Sequence, residues 1–219
     1  TGAEFSYYRD WVPGPSQGPN SNQYAQADRY PVGIDTTLYL SGGGDLVNTA
    51  GAIATGSASL TTSTNPATSY SELSAIDRSV PIYDRKGTFM AFTTPPLTTD
   101  VDVVGTPVLD VQLQAPEFLE SQLSGPSGQL ILFAKIYDVG PDGTQVLPNR
   151  IVAPMRIPDV SQRVRISLPT LVYRFAAGHR LRLMLAQGDS SYASNAIVGE
   201  VKIDNGAGKA NILTLPVTE

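Results

Sequence analysis

The string TPVLDVQLQA, Thr106 to Ala115, places Leu109, Val111 and Leu113 on one side of an extended chain and Asp110, Gln112 and Gln114 on the other. Side chains that alternate with a period of two belong to a strand with one face buried and one face wet. The same alternation returns twice. In QRVRISL, Val164, Ile166 and Leu168 oppose Arg163 and Arg165, and in HRLRLML, Leu181, Leu183 and Leu185 oppose Arg180 and Arg182. GQLILFAKIYDV, Gly128 to Val139, is almost unbroken apolar sequence, as in a strand covered on both faces. DTTLYLS, GTFMAFTT, NAIVGEVKI and NILTLPV add further short strands, punctuated by Gly42-Gly43-Gly44, Pro95-Pro96 and Asp142-Gly143. No stretch carries a convincing long-helix pattern. Eight or more short strands between Gly and Pro breaks predict an all-β fold, a β-sandwich of the jelly-roll type.

Two segments lie outside this rhythm. Residues 1–34 are rich in Tyr, Pro, Gly, Asn and Gln and hold Trp11, the single tryptophan. They are expected to form an extended arm that packs through its aromatics, before a sandwich domain over 35–219. Residues 48–79 are rich in Thr, Ser, Ala and Gly, a connection longer than compact domains usually contain. A mobile loop is the expectation there, ahead of a packed extended segment.

With 219 residues and 41% hydrophobic composition, the chain can bury a full core. A net charge of −5 speaks against general nucleic-acid binding, which needs a basic footprint. The absence of cysteine removes disulfides, thiol nucleophiles and cysteine-ligated metals. No apolar run reaches the roughly 20 residues of a membrane-spanning helix. The first residue is not methionine, as expected of an excised or processed fragment, and the missing cysteine with the Thr/Ser/Gly-rich connection leans toward a secreted or cell-envelope protein.

The chemistry-bearing residues are few. His179 is the only histidine, so any catalytic triad must use it. No Gly-x-Ser-x-Gly string exists; SGPSGQ around Ser127 has glutamine where the last glycine belongs. His179 follows Gly178 and precedes an alternating strand, which reads as a turn opening a strand, and no catalytic residue is assigned. One histidine cannot build a two-histidine zinc site. Asp100 with Asp102, and Asp138 with Asp142, could offer oxygens to calcium, but their spacing is not that of a calcium loop and they sit at apparent turns. Gly42 to Gly44 lacks the lysine and helix of a phosphate-binding loop. No cofactor is expected.

From Arg150 to Arg182 there are seven arginines (Arg150, Arg156, Arg163, Arg165, Arg174, Arg180 and Arg182) and one acid, Asp159. A solvated sheet face explains them, with arginine stems covering apolar surface; a docking surface is the sharper alternative.

FTTPPLTTDVDVVGTPVLDVQL, LFAKIYDVGPDGTQVL, LPTLVYRFAAGHRLRLMLAQGDSSYASN and, upstream, LYLSGGGDL resemble, in this order, segments of the C-terminal domain of X-prolyl dipeptidyl peptidases and cocaine-esterase-like hydrolases. The resemblance covers about residues 35–195 and departs after the histidine strand, where GDSSYASN stands for an SSDFPR-like string. It implies a galactose-binding-like jelly roll that is non-catalytic, and a partner, an α/β-hydrolase catalytic domain in the same chain or a separate subunit, whose active-site cleft it helps to wall. His179, Arg180, Arg182, Arg165 and Asp189 are then the candidates for that interface. The alternative is a carbohydrate-binding jelly roll, with Tyr39, Tyr70 and Tyr192 near its loops.

Overall fold

The computed structural model describes residues 3–14, 21–77 and 83–218. The arm is a two-stranded ribbon, β1 (Phe5–Tyr8) pairing antiparallel with β2 (Tyr24–Ala27). Aromatic contacts hold it: Tyr8 meets Tyr24 edge-on at 5.5 Å, Phe5 packs on Tyr30 at 5.1 Å, and Arg174 lies 5.4 Å over the Trp11 ring. These contacts and the paired strands lie within the stretch 1–34 expected as an arm; residues 1, 2 and 15–20 of it lie outside the described residues.

The sandwich begins with β3 (Ile34–Ser41), β4 (Asp45–Val47) and β5 (Gly56–Thr61). A single turn of helix, α1 (Leu73–Ile76), precedes β6 (Phe89–Thr93), β7 (Val101–Gly105) and β8 (Val108–Gln112). After α2 (Pro116–Ser121), which has proline in its first turn, come β9 (Leu130–Val139), β10 (Gln145–Val146), β11 (Ala153–Ile157) and β12 (Arg163–Ser167). The chain ends with β13 (Leu171–Phe175), β14 (Arg180–Ala186), β15 (Glu200–Asn205) and β16 (Ile212–Thr218).

One layer runs β9, β14, β6 side by side, with β10 and β11 both on the far edge of β9. The other runs from β3 to β16, which pairs with β8 and β7; these carry β12 and β13. Short β4 pairs with β3 and touches β6 through one parallel bridge, Asp45 opposite Thr93, so the layers join along a narrow seam. Leu132, Leu183 and Phe92 from the first layer meet Leu109, Ile166 and Leu213 from the second in one apolar core. Leu109, Val111, Leu181, Leu183 and Leu185 all lie in it, while Asp110, Gln112, Arg163 and Arg165 face outward. All ten residues of β9 are buried, which is why its sequence shows no alternation.

Through residue 77 the Thr/Ser-rich connection is packed, the alternative to a mobile loop; residues 78 and 79 lie outside the described residues. Gly56–Thr61 forms β5, paired along its length with β15, and Thr62, Thr68, Ser69 and Ser71 are buried. These small polar side chains enter the interior because each hydroxyl found a partner there. Thr62 Oγ1 accepts from Gly199 N at 2.8 Å, and Thr68 Oγ1 from Gln187 Nε2 at 2.6 Å. The segment crosses the outer face of the first layer as a strap. Under it lies a second apolar cluster that includes Phe133, Tyr137, Met184 and Ala186.

Candidate docking face and buried polar network

Alternate residues of β9 point at the strap: Ile131, Phe133, Lys135, Tyr137 and Val139. Lys135 stands in the middle of this row with none of its surface exposed. A buried ammonium needs charge and hydrogen-bond partners: Ser69 of the strap, Asp84 beyond its end and Asp189 after β14 supply them. Lys135 Nζ donates to Asp84 Oδ1 and to Ser69 Oγ, each at 2.5 Å, and lies 3.9 Å from Asp189 Oδ2. Asp189 is held in turn by Ser71 N at 3.1 Å, Ser69 Oγ at 3.2 Å and Ser191 N at 3.2 Å. Tyr137 donates its hydroxyl to Asp84 Oδ2 at 2.5 Å; burial first, then the Asp84 charge, pushes this phenol well above the usual tyrosine range. The pair of Ser69 and Lys135 has the composition of a nucleophile and its base. Its surroundings deny it that use: the amine is engaged by Asp84, and Ser69 is closed off from solvent. The network fastens the strap to the sheet. The warning available in the sequence was a lysine inside an otherwise apolar strand.

His179 opens β14 after a turn in which its N–H donates to Ala176 O at 3.0 Å and Gly178 takes φ +82°, a conformation that favours glycine. The turn reading therefore holds. The imidazole Nδ1 lies 2.8 Å from Asp138 Oδ1, and Tyr173 donates to Asp138 Oδ2 at 2.9 Å. Burial and the Asp138 carboxylate raise the Tyr173 phenol far above its ordinary value. Tyr173, Asp138 and His179 thus form a chain that fixes the ring, with the imidazole lining a groove beside Gly140, Pro141, Asp142, Thr144 and Val146. Histidine and acid are two parts of a triad, but among the described residues no serine bonds the ring. The YDVGPDG and GHRLRL strings meet here, since Asp138 belongs to one and His179 to the other.

The five interface candidates do not gather in one place. Arg180 and Arg182 share one face of β14, and His179 stands just before that strand with its ring on Asp138. Arg165 lies on β12 in the other layer, opposite Asp110. Asp189 is wholly buried in the Lys135 network and offers nothing to a partner. Nor are the seven arginines one patch. Arg163 bonds Asp110 at 2.6 Å, and Arg174 bridges Asp102 at 2.7 Å and Asp100 at 3.2 Å. Arg156 donates to the Pro126 carbonyl. Arg180 and Arg182 differ from Arg163 and Arg174: they bond Thr94 O, Thr93 Oγ1 and Gln145 Oε1, all uncharged. Burial, and secondarily Arg180, lowers the proton affinity of Arg182.

The carboxylates considered for calcium are occupied otherwise. Asp100 and Asp102 hold Arg174, Asp138 holds His179, and Asp142 accepts from Thr144 N and Oγ1, which lowers its pKa. Among the described residues no group of three or more His, Asp or Glu converges as a metal site. The three tyrosines sit in different settings. Tyr39 is within β3, Tyr70 is tilted against Tyr83, and Tyr192 packs on Phe133 and donates to Glu72 at 2.5 Å.

The described residues form an all-β sandwich whose one histidine is bonded to Asp138. Residues 15–196 match the X-Pro dipeptidyl-peptidase C-terminal non-catalytic domain, and the chain belongs to that family. No curated protein matches the sequence. Among solved structures, the chain resembles an aminopeptidase from the marine sediment archaeon Thaumarchaeota archaeon, with a TM-score of 0.67 and 14% identity over 91% of this chain and 39% of that one. It also resembles an α-amino acid ester hydrolase, with a TM-score of 0.66 and 16% identity over 95% and 42% of the two chains. For a CocE/NonD family hydrolase from Staphylococcus aureus the TM-score is 0.57, at 15% identity over 89% and 39%. The chain therefore spans about two fifths of the length of these structures, and at such identities the likeness is one of fold.

Proposed function

We propose that this chain is the C-terminal accessory domain of an α/β-hydrolase-type serine hydrolase, acting on an ester or on an amide after an X-Pro dipeptide. It packs on the catalytic domain and helps to wall the active-site cleft. The family match over residues 15–196 carries this reading. The site is compatible with it: the only histidine is bonded to Asp138, and among the described residues no serine bonds its ring. The contribution to catalysis is positional: a rigid wall keeps reacting groups in register, and small misplacements remote from the chemistry cost rate. The names of the similar structures include both an aminopeptidase and an ester hydrolase, so ester and amide stand together in the proposal.

The test is hydrolysis of p-nitrophenyl acetate and an X-Pro-p-nitroanilide by the isolated 219-residue chain, with a fluorophosphonate probe in parallel. No turnover and no labelling are expected, whereas the full-length hydrolase labels at one serine. Stoichiometric labelling of the isolated chain, lost in His179→Ala, would overturn the accessory-domain reading.

A further inference from the structure

If this domain rests on a catalytic domain, as proposed above, part of its surface is shaped for that contact. The candidate strip is Arg180 and Arg182 on β14, entered from His179. Arg180 and Arg182 are two residues apart on one strand and so project from the same face. Neither has a carboxylate within ion-pair distance among the described residues, although Arg163 and Arg174 each do. The neighbouring acids are already committed: Asp138 to His179 and Tyr173, Asp84 to Lys135 and Tyr137, and Asp142 to Thr144. In a chain of net charge −5, the pair concentrates two guanidinium charges on one strand face with no carboxylate at ion-pair distance among the described residues.

The strip borders two concave features. On one side Arg182 lines a small cleft with Gln145, Phe89 and Asp84. On the other, Arg180 bonds the carbonyl of Thr94, and Thr94 lines an apolar groove at the seam of the two layers with Leu38, Leu46, Pro95 and Leu97. An apolar groove flanked by arginines has the anatomy of a protein interface, and guanidinium groups suit planar carboxylates.

We infer that Arg180 and Arg182, with the seam groove beside them, dock the catalytic domain of the parent hydrolase through a carboxylate-bearing segment of that domain. The groove takes the apolar part of the segment, and the arginine pair takes its acid. The choice of occupant follows from the positive charge of the pair, whose internal hydrogen bonds among the described residues go to neutral oxygens and to no carboxylate.

Arginine-directed labelling with phenylglyoxal, read peptide by peptide by mass spectrometry, tests this on the isolated chain and on the full-length hydrolase. Arg180 and Arg182 should react about tenfold more slowly in the full-length protein, the factor that 1.4 kcal/mol of domain closure produces; Arg163 should react equally in both. In full-length Arg182→Glu, Arg180 should return to its rate in the isolated chain. Circular dichroism of the isolated chain carrying the same substitution checks that the sandwich still folds. Equal reactivity of Arg180 and Arg182 in both proteins, with other residues of the chain shielded, overturns this docking face and leaves the hydrolase reading standing. Protection of Arg180 that persists in Arg182→Glu overturns the ionic contact. If no residue of the chain is shielded in the full-length protein, the accessory-domain reading falls with it.

Discussion

Replacing Lys135 by methionine tests whether the strap is held by charge. The two side chains are similar in length, and methionine adapts to irregular cavities, so the packing change is small. What disappears is the ammonium that donates to Asp84 and Ser69 at 2.5 Å and lies 3.9 Å from Asp189. Two carboxylates then remain without a cation, one fully buried and the other with a side chain only 9% exposed. Removing one partner of a buried ion pair costs about 3–5 kcal/mol, chiefly because the other charge is left uncompensated. Such a loss is a large part of the 5–15 kcal/mol by which domains are generally stable. For a chain of this size it corresponds to a fall in Tm of roughly 6–20 °C. Urea unfolding followed by far-ultraviolet circular dichroism measures it, with the m value as the check on two-state behaviour. Adding Asp84→Asn removes one orphaned charge while Tyr137 keeps an acceptor, so the double variant should recover about half of the loss or more. A loss below about 1 kcal/mol in Lys135→Met would refute the reasoning, because that is the range of solvent-exposed pairs.

Three further outcomes follow from the same bonds. Asp138→Asn removes the charge that orders both His179 and Tyr173, and should cost about 2–3 kcal/mol in urea unfolding, since hydrogen bonds to charged groups carry about 1.5–3 kcal/mol each. Arg163→Ala breaks a pair whose side chains are 45% and 38% exposed, so it should cost less than about 1 kcal/mol; a larger effect would show that the pair does more than decorate the surface. Tyr192 has its phenol pushed up to about 12, by burial first and then by its bond to Glu72, and Tyr137 and Tyr173 lie higher still. A folded-state pKa above the unfolded value near 10 favours the native protein below pH 10. That share of stability fades as pH rises from about 10 through about 12. Absorbance at 295 nm should therefore show these three phenols ionising at higher pH in the native chain than in urea; native ionisation of all three near pH 10 would contradict the burial assigned to them.

The sequence showed most plainly what depends on neighbours along the chain. Alternation at Leu109 and Val111, and at Leu181 and Leu183, assigned strand faces correctly because burial on one side of a sheet writes itself into a period of two. Gly178 before His179 marked the turn because a left-handed residue is a local requirement. What escaped was set by partners far apart in sequence. Asp84 and Lys135 are 51 residues apart, and Ser69 is 66 from Lys135, so no local pattern joins them. The strap was misjudged for the same reason. Threonine and serine look like loop residues when read alone, and they become core residues only where Gly199, Gln187 and Asp189 satisfy their hydrogen bonds.

That difference also separates the two halves of the candidate site. The Lys135 network is internally complete: its cation, both carboxylates and its hydroxyls are matched within the domain, as a structural fastening requires. The β14 strip is incomplete: among the described residues its guanidinium groups bond neutral oxygens and no carboxylate. Completeness is what a domain needs for its own stability, and incompleteness at the surface is what leaves it something to offer another. The charge that the strip lacks is therefore to be sought in the catalytic domain, and substitutions in the two places should part accordingly. Changes at Lys135 should lower the stability of the isolated chain, whereas changes at Arg180 and Arg182 should act chiefly when the hydrolase is whole.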